Sequence, residues 1–315
     1  MEYRRLGNSG LQVSIAGLGC NNFGMRIDAE QTRAVVGRAL DEGITLFDTA
    51  DIYGGRGKSE EMLGKALGSR RHEIIVASKF GMAMGDGPYQ KGGSRRYIMA
   101  AVEASLKRLG TDYIDLYQIQ APDPLTPQEE TLAALDAIVR AGKVRYIGSS
   151  NFAGWQVAEA AWISRAQELA PYISAQNQYN LLDRRIEREL IPACRHFGVG
   201  ILPYFPLASG FLTGKYRRGQ EPSKDTRLGA MGARAGQMLS DANFAVLDKL
   251  EQHARGAGHS MVELATSWLV AQPEVSSVIS GATKPEQVSE NIKACGWKMT
   301  PDDLDAIDKI TKRKD

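Results

Sequence analysis

Residues 114–149 read IDLYQIQAPDPLTPQEETLAALDAIVRAGKVRYIGS. An apolar run opens this stretch at Ile114–Gln118, and a second run closes it at Val144–Ser149. Between them, Thr126-Pro127-Gln128-Glu129 predicts a helix with Thr126 as N-cap and proline at the first helical position. A strand, a helix and a strand in this order predict two parallel strands joined by a crossover helix.

The same alternation extends over the chain from residue 44 onward. Helix patterns such as AEQTRAVVGRALDEG and RYIMAAVEASLKRLG repeat apolar residues at steps of three and four. Thr300 is predicted to be the N-cap of the last helix, as Thr126 is of the crossover helix. Eight strands with helical crossovers favour an α/β fold of the (β/α)8 TIM barrel type over a doubly wound sheet. A GxGxxG fingerprint is missing, since Gly24 follows Gly17-Leu18-Gly19 at the wrong spacing. The other six predicted strands are Ile15–Gly19, Ile44–Thr49, Ile74–Lys79, Ile173–Gln178, Gly200–Phe205 and Val275–Ser280.

Two segments lie outside this alternation. Residues 2–14 predict an N-terminal β-hairpin with its turn at Asn8-Ser9-Gly10. Residues 208–240 are rich in glycine and charge with little periodicity, which predicts a long, mobile flap loop after strand seven. Because no linker or repeat interrupts the pattern, residues 1–315 are expected to form one domain.

Composition excludes several classes of function. The chain is 24% charged and 43% hydrophobic with a net charge of +2, so no basic surface for a nucleic acid partner is expected. No stretch approaches the roughly 18 apolar residues of a membrane span, and the N-terminus lacks an apolar signal core. The three cysteines are far apart, which fits a reducing compartment. We therefore expect a cytoplasmic protein; the sequence leaves open whether it is a monomer or a homo-oligomer.

Polar residues at the strand ends are the candidates for chemistry, because barrel active sites lie there. Asp48 ends the second strand, Tyr53 follows it, and Lys79 ends the third. A lysine ammonium beside a phenol lowers its pKa, and a carboxylate behind the lysine keeps the ammonium charged. The three residues together predict a proton donor, Tyr53. A structural ion pair with Tyr53 as a loop aromatic is the open alternative.

The end of strand eight carries a second signal. Thr283 and Glu286 predict a capping box, and Lys284 places a cation at the start of the same helix. Such a helix start either binds phosphate or is only a cap. Metal catalysis is not expected, because the four histidines fall in predicted helices or helix-flanking turns and form no HxH or HExxH motif.

Seven segments together resemble the aldo-keto reductase family over essentially the whole chain. They occur in the order and at the spacing of that family. They are FDTADIYG, ASKFG, IDLYQIQAPD, YIGSSNF, QNQYNLLDR, LPYFPLASGFLTGKY and ISGATKPEQVSEN. The resemblance implies a barrel plugged by the N-terminal hairpin and covered by the flap.

The resemblance also implies a function and the residues that perform it. An NADPH-dependent reductase of small-molecule carbonyl substrates is expected, with NADH possible and no metal. Tyr53 would donate the proton, Lys79 would lower its pKa, and Asp48 would hold Lys79. Cofactor contacts are implied for Ser150, Asn151 and Gln176 at the carboxamide, Tyr204 at the nicotinamide ring, Leu207, Ser209 and Gly210 at the pyrophosphate, and Lys284, Gln287 and Asn291 at the adenosine.

Gln120 departs from the family pattern. The family usually has histidine at this position, where it donates a hydrogen bond to the carbonyl oxygen. A glutamine amide also donates but cannot titrate, so Gln120 is expected to be the fourth catalytic residue without a proton relay. Two functions follow: a working reductase, or an NADPH-binding sensor similar to the potassium channel β-subunits. Substrate choice is expected to depend on residues 22–29, residues 84–96, Trp155 and the flap.

Overall fold

Two short antiparallel strands open the chain, as predicted. They are β1 (Tyr3–Arg5) and β2 (Gln12–Ser14). The computed structural model describes residues 1–224 and 226–312. The hairpin closes one end of the barrel. Leu6 and Val13 are fully buried in one apolar cluster with barrel residues such as Leu46 and Leu116. The hairpin is therefore a plug.

Eight parallel strands form the barrel, which confirms the predicted fold class. In space they run in the order β10-β3-β4-β5-β6-β7-β8-β9. A parallel bridge joins Ile201 of β9 to Val275, three residues before β10, so the sheet closes on itself. In chain order the strands are β3 (Ala16–Gly19), β4 (Leu46–Asp48), β5 (Ile75–Phe80), β6 (Ile114–Ile119), β7 (Val144–Ser150), β8 (Tyr172–Gln176), β9 (Gly200–Ile201) and β10 (Val278–Gly281).

Three of the predicted strands are shorter by two residues or more, and Ile44–Thr49 is a strand only at Leu46–Asp48. The run Gly200–Phe205 is a strand only at Gly200–Ile201, because Pro203 and Pro206 have no N–H to donate to a ladder. Tyr204 still makes a single parallel bridge with Gln178. The last strand begins at Val278 rather than Val275. These are errors of length, and the order of the strands is as predicted.

Helices surround the barrel and cover its apolar outer face. Their bounds are α1 (Ala29–Asp41), α2 (Tyr53–Arg56), α3 (Lys58–Leu67), α4 (Arg95–Leu109), α5 (Gln128–Arg140), α6 (Gly154–Ala166), α7 (Leu190–Phe197), α8 (Asp241–Gly256), α9 (Met261–Val270), α10 (Pro285–Lys293) and α11 (Pro301–Thr311). Short 3-10 turns occupy Gly68–Glu73, Arg185–Glu187, Ala208–Thr213 and Gly229–Ala235. Within the described residues, no helix is long and apolar enough to cross a membrane.

Of the three predicted helix caps, only that of Thr300 is confirmed. Thr300 caps α11 as expected, in a reciprocal capping box with Asp303. Helix α5 begins at Gln128, one residue later than predicted, and Thr126 makes no cap. Its hydroxyl donates instead to Asp123 Oδ2 at 2.7 Å. An N-cap hydroxyl has to accept an N–H of the first helical turn, whereas the Thr126 hydroxyl is directed at the Asp123 carboxylate, a charged acceptor three residues upstream.

The predicted flap, residues 208–240, contains two of the short 3-10 turns and otherwise irregular backbone. Asp225 belongs to this prediction but lies outside the described residues. The flap follows the two-proline segment after β9 and borders the open end of the barrel.

Candidate active site

A cavity of about 690 Å3 opens at the carboxyl ends of the strands. This volume lies within the usual range for a small-molecule site. Every predicted site residue except Lys284 lines it. The lining residues that the sequence predicted are Asp48, Tyr53, Lys79, Gln120, Ser150, Asn151, Gln176, Tyr204, Leu207, Ser209, Gly210, Gln287 and Asn291.

A buried ion pair forms the floor of the cavity. Lys79 Nζ donates to Asp48 Oδ1 at 2.6 Å and to the carbonyl oxygen of Thr49 at 2.9 Å. The two charged side chains are 1% and 5% exposed. Burial works against the ammonium, but Asp48 and Tyr53 favour it and raise the pKa of Lys79 above its ordinary value. Because β4 and β5 are neighbours in the sheet, the pair is fixed by the barrel itself.

Tyr53 stands on the turn that follows β4 and begins the short helix α2. The Lys79 Nζ atom lies 5.1 Å from the centre of its ring. Gly54 and Gly55 follow with φ of 69° and 77°, a left-handed backbone that favours glycine and lets the chain turn sharply behind the phenol. Tyr53 is therefore placed beside the ammonium by backbone geometry.

The pKa of Tyr53 differs from the expectation. Burial raises it above its ordinary value, and the negative charge of Asp48 adds to this, while Lys79 acts in the opposite direction. The expected influence of Lys79 is present, but the dry surroundings outweigh it. Tyr53 therefore keeps its proton at neutral pH, which is the state that a proton donor needs.

Gln120 lies directly after β6, at the mouth of the barrel. Its backbone N–H donates to Phe80 O at 2.8 Å, and its carbonyl oxygen accepts from Asn151 Nδ2 at 2.8 Å. The side-chain Oε1 is buried and has no hydrogen-bond partner in the described structure. The amide lines the same cavity as Tyr53 and Lys79. Gln120 is thus held by its backbone and has a side chain directed at the cavity.

Amide and hydroxyl groups from neighbouring strands surround the ion pair. Gln176 Nε2 donates to Asp48 Oδ1 at 2.8 Å, a contact that the sequence did not predict. Asn151 has a positive φ of 59°, and its Nδ2 donates to Ser150 Oγ at 3.2 Å. Tyr204 donates from its hydroxyl to Asn151 Oδ1 at 2.6 Å. These contacts join the end of β8 to β4 and the end of β7 to the segment after β9.

The start of α10 differs from the prediction. Its N-cap residue is Lys284, which makes no side-chain cap, so the predicted box of Thr283 with Glu286 is wrong. Thr283 donates from its N–H and its hydroxyl to Gln287 Oε1, at 2.8 and 3.1 Å. Gln287 therefore accepts hydrogen bonds from Thr283 in the place where Glu286 was expected to do so. Lys284 is exposed and does not line the cavity, whereas Gln287 and Asn291 do.

Three cations of the cavity were not singled out in the sequence. Arg26 lies in the loop after β3, and Lys215 and Arg227 lie in the flap. Among the described residues neither arginine forms an ion pair. Burial and the nearby charge of Arg26 lower the pKa of Arg227. The loops were predicted to border the site, but an irregular loop has no periodicity from which to decide which side chains point inward.

Metal ligands are not grouped in this structure. Within residues 1–224 and 226–312, no cluster of three or more histidine, cysteine or acidic side chains could hold a metal ion.

The fold and the site define a (β/α)8 barrel with a cavity at its mouth, lined by a buried lysine–aspartate pair and a half-buried tyrosine beside it. A profile of the Aldo/keto reductase family matches residues 16–312, and the chain belongs to that family.

Named relatives include both reductases and channel subunits. The chain is 36% identical over 323 residues to a probable voltage-gated potassium channel subunit beta of Oryza sativa subsp. japonica, an alignment that covers 100% of this chain and 98% of the relative. It is 38% identical over 305 residues to L-glyceraldehyde 3-phosphate reductase of Escherichia coli (strain K12), which covers 93% and 87%. It is 35% identical over 335 residues to versiconal hemiacetal acetate reductase of Aspergillus parasiticus, which covers 98% and 96%.

Proposed function

We propose that the protein is an NADPH-dependent oxidoreductase that reduces an aldehyde or ketone to an alcohol. The observation that carries this proposal is the buried Asp48–Lys79 pair beside Tyr53 at the floor of the cavity. A structural ion pair would not need a tyrosine or an open cavity at its side. The family membership and the reductase relatives support the same class of reaction.

The lining of the cavity fits a nicotinamide dinucleotide. Arg26, Lys215 and Arg227 supply the positive charge that phosphate groups need, and the two arginines have no carboxylate partner among the described residues. When bound, NADPH supplies the hydride of the reaction. We assign the holding of the cofactor to Ser150, Asn151, Gln176, Tyr204, Leu207, Ser209, Gly210, Lys284, Gln287 and Asn291, together with the three cations.

NADPH rather than NADH is proposed because the site has more cations than a pyrophosphate alone requires. Lys284 contributes only from the rim, since it is exposed and outside the cavity lining. The flap cations Lys215 and Arg227 line the cavity and are therefore the main candidates to contact the 2′-phosphate. Binding of NADH remains within the chemistry of the site, with lower affinity because the 2′-phosphate contacts are missing.

The protein's part in the reaction is to supply one proton and to polarise the carbonyl. Tyr53 donates its phenolic proton to the carbonyl oxygen as the alcohol forms. The phenolate that remains is stabilised by the ammonium of Lys79, whose charge Asp48 maintains. Gln120 donates an amide N–H to the same oxygen, in the manner of an oxyanion contact. Gln176 orients Asp48 from the far side.

The experiment that tests this function measures NADPH oxidation with a panel of aldehydes and ketones. At least one carbonyl should support turnover, and Tyr53→Phe should abolish it while the Kd for NADPH stays within about threefold, because the phenol ring is retained. Tight NADPH binding without Tyr53-dependent turnover for any carbonyl would refute the reductase.

A second candidate is an NADPH-binding sensor or regulatory subunit with attenuated turnover. It is favoured by the 36% identity to a probable potassium channel subunit beta and by Gln120, which cannot relay a proton. The complete Asp48-Tyr53-Lys79 set favours the enzyme. The same assay separates the two, because a sensor would bind NADPH tightly with little turnover.

A further inference from the structure

A buried carboxylate lies behind the active site, two residues before Tyr53. Asp51 is 1% exposed, and its backbone N–H donates to Lys79 O at 3.0 Å. Its side chain points away from the cavity, between β5, α3 and α4. Tyr97 on α4 donates from its hydroxyl to Asp51 Oδ2 at 3.3 Å. Oδ1 is buried and has no hydrogen-bond partner in the described structure.

The nearest cation is bound to a different acid. Arg108 Nε donates to Glu60 Oε2 at 2.6 Å, and Ser78 Oγ donates to Glu60 Oε1 at 2.5 Å. Glu60 is fully buried and holds the guanidinium of Arg108, whereas Asp51 has only the Tyr97 hydroxyl as a partner. An ionised carboxylate in a dry site without a cation is costly.

The charged and titratable groups around Asp51 come from four elements. They are Glu60 on α3, Tyr97 and Arg108 on α4, Tyr117 on β6 and Lys79 on β5. Burial and, second, the negative charge of Glu60 raise the pKa of the Asp51 carboxyl to about 7. The charge of Arg108 and the Tyr97 hydrogen bond act more weakly in the opposite direction.

The hydroxyl of Tyr97 connects Asp51 to the loop after β5. It lies 3.5 Å from Met82 O and 3.3 Å from Asp51 Oδ2, and its single proton can serve one of these acceptors at a time. With a proton on Asp51, the carboxyl donates to the Tyr97 oxygen and the Tyr97 proton is free for Met82 O. Without that proton, Tyr97 must donate to Asp51, and Met82 O loses its donor.

We propose that Asp51 is a proton-controlled positioning residue. Its proton keeps the Tyr97–Met82 contact closed and so holds residues 81–93 against the turn that carries Tyr53. Loss of the proton releases this loop, which directly follows the strand that carries Lys79. This regulation rests on the proposed reductase function for its effect on turnover, whereas the loop contact itself does not.

Two matched variants test the relay. Asp51→Asn keeps the shape and places an amide donor where the proton of the neutral carboxyl would be, so it should hold the closed state at every pH. Asp136→Asn makes the same change at a buried aspartate on α5, whose carboxylate pairs with Arg140 and accepts from Ala170 N. Tyr97→Phe removes the connecting hydroxyl and should give the released state at every pH.

Hydrogen exchange of residues 81–93 is the readout that does not depend on turnover. At pH 6, residues 81–93 should exchange at the same rate in wild type and in Asp51→Asn. At pH 8, the wild-type loop should exchange about threefold faster or more than the loop of Asp51→Asn, because a group with a pKa of about 7 loses its proton between pH 6 and pH 8. Asp136→Asn should follow wild type. Equal exchange in wild type and Asp51→Asn at pH 8 would overturn the proposal.

The pH profile of kcat is the second readout. Wild-type kcat should fall as pH rises through about 7, the fall should be absent in Asp51→Asn, and Tyr97→Phe should be low and flat. If the loop responds but no carbonyl is reduced, the relay stands and the reductase function fails. If Tyr53-dependent turnover is found and Asp51→Asn keeps the wild-type fall, the positioning role is refuted.

Discussion

Removal of the Gln120 amide should separate catalysis from stability. Its Oε1 is buried without a partner, and its two backbone hydrogen bonds, to Phe80 and from Asn151, do not involve the side chain. Gln120→Ala therefore leaves no partner of the described protein unpaired. The lost methylene costs about 0.8 kcal/mol of burial. Removal of an unsatisfied acceptor returns about 1–3 kcal/mol. The free energy of unfolding should change by less than about 2 kcal/mol, with the variant equal to or more stable than wild type.

The expected effect on catalysis is much larger. An oxyanion donor contributes about 2.7–4 kcal/mol to transition-state stabilisation, so kcat/KM should fall by roughly 100- to 1,000-fold. The assay compares kcat/KM for the best carbonyl, the Kd for NADPH and the urea unfolding curve in one buffer. Gln120→His restores an imidazole and should retain activity with an added pH dependence near the histidine pKa of about 6.5.

Gln118, two residues before Gln120 and within β6, provides a matched control. Its Oε1 accepts from Ser174 Oγ at 2.9 Å, and it does not line the cavity. Gln118→Ala should lose about 1 kcal/mol of stability with kcat/KM little changed, because the lost methylene and the unpaired Ser174 hydroxyl outweigh the removal of Gln118 Nε2, which is buried without a hydrogen-bond partner in the described structure. Our reasoning about Gln120 would be refuted by a fall in kcat/KM of less than about threefold, or by a loss of NADPH affinity as large as the loss in kcat/KM.

Three further predictions follow from the contacts described above. Lys79→Met should abolish turnover and lower the free energy of unfolding by about 3–5 kcal/mol, since a buried carboxylate loses its charged partner; urea unfolding measures this, and unchanged stability would contradict it. Arg227→Ala should weaken NADPH binding at least about tenfold more than Lys284→Ala, measured by fluorescence titration, because only Arg227 lines the cavity; the reverse order would contradict the phosphate assignment. Thr300→Ala should cost about 1 kcal/mol because Thr300 caps α11, and Thr300→Ser, which keeps the capping hydroxyl, distinctly less; equal losses in thermal unfolding would contradict this.

The pattern of apolar runs was enough to predict the barrel, because each strand is buried and each crossover helix has its own period. It was not enough to place the ends of elements. Thr126 and Thr283 both have sequence signals for caps, yet each bonds to a side chain that the signal does not include, Asp123 and Gln287. A cap depends on which hydrogen-bond donors and acceptors are nearest in space, and a short sequence window does not contain that information.

The site was predictable to the extent that its residues end strands. Asp48, Lys79 and Gln120 are adjacent because neighbouring parallel strands end together. Arg26 and Arg227 come from two irregular loops, so their presence in the cavity depends on tertiary contacts. The pKa of Tyr53 depends on how dry its surroundings are, which residue types alone do not determine.

The closure of the barrel has a consequence for how the protein responds to its ligand. Strands β9 and β10 meet through few backbone contacts, among them Ser276 N to Ile201 O and Ile279 N to Pro203 O, because the prolines after β9 interrupt the ladder. Tyr204 on one side of this junction and Ser280 on the other both line the cavity. A ligand that contacts both sides therefore bridges the junction of the barrel that has few backbone contacts of its own. Its occupancy of the cavity would raise the free energy of unfolding of the protein in the cell.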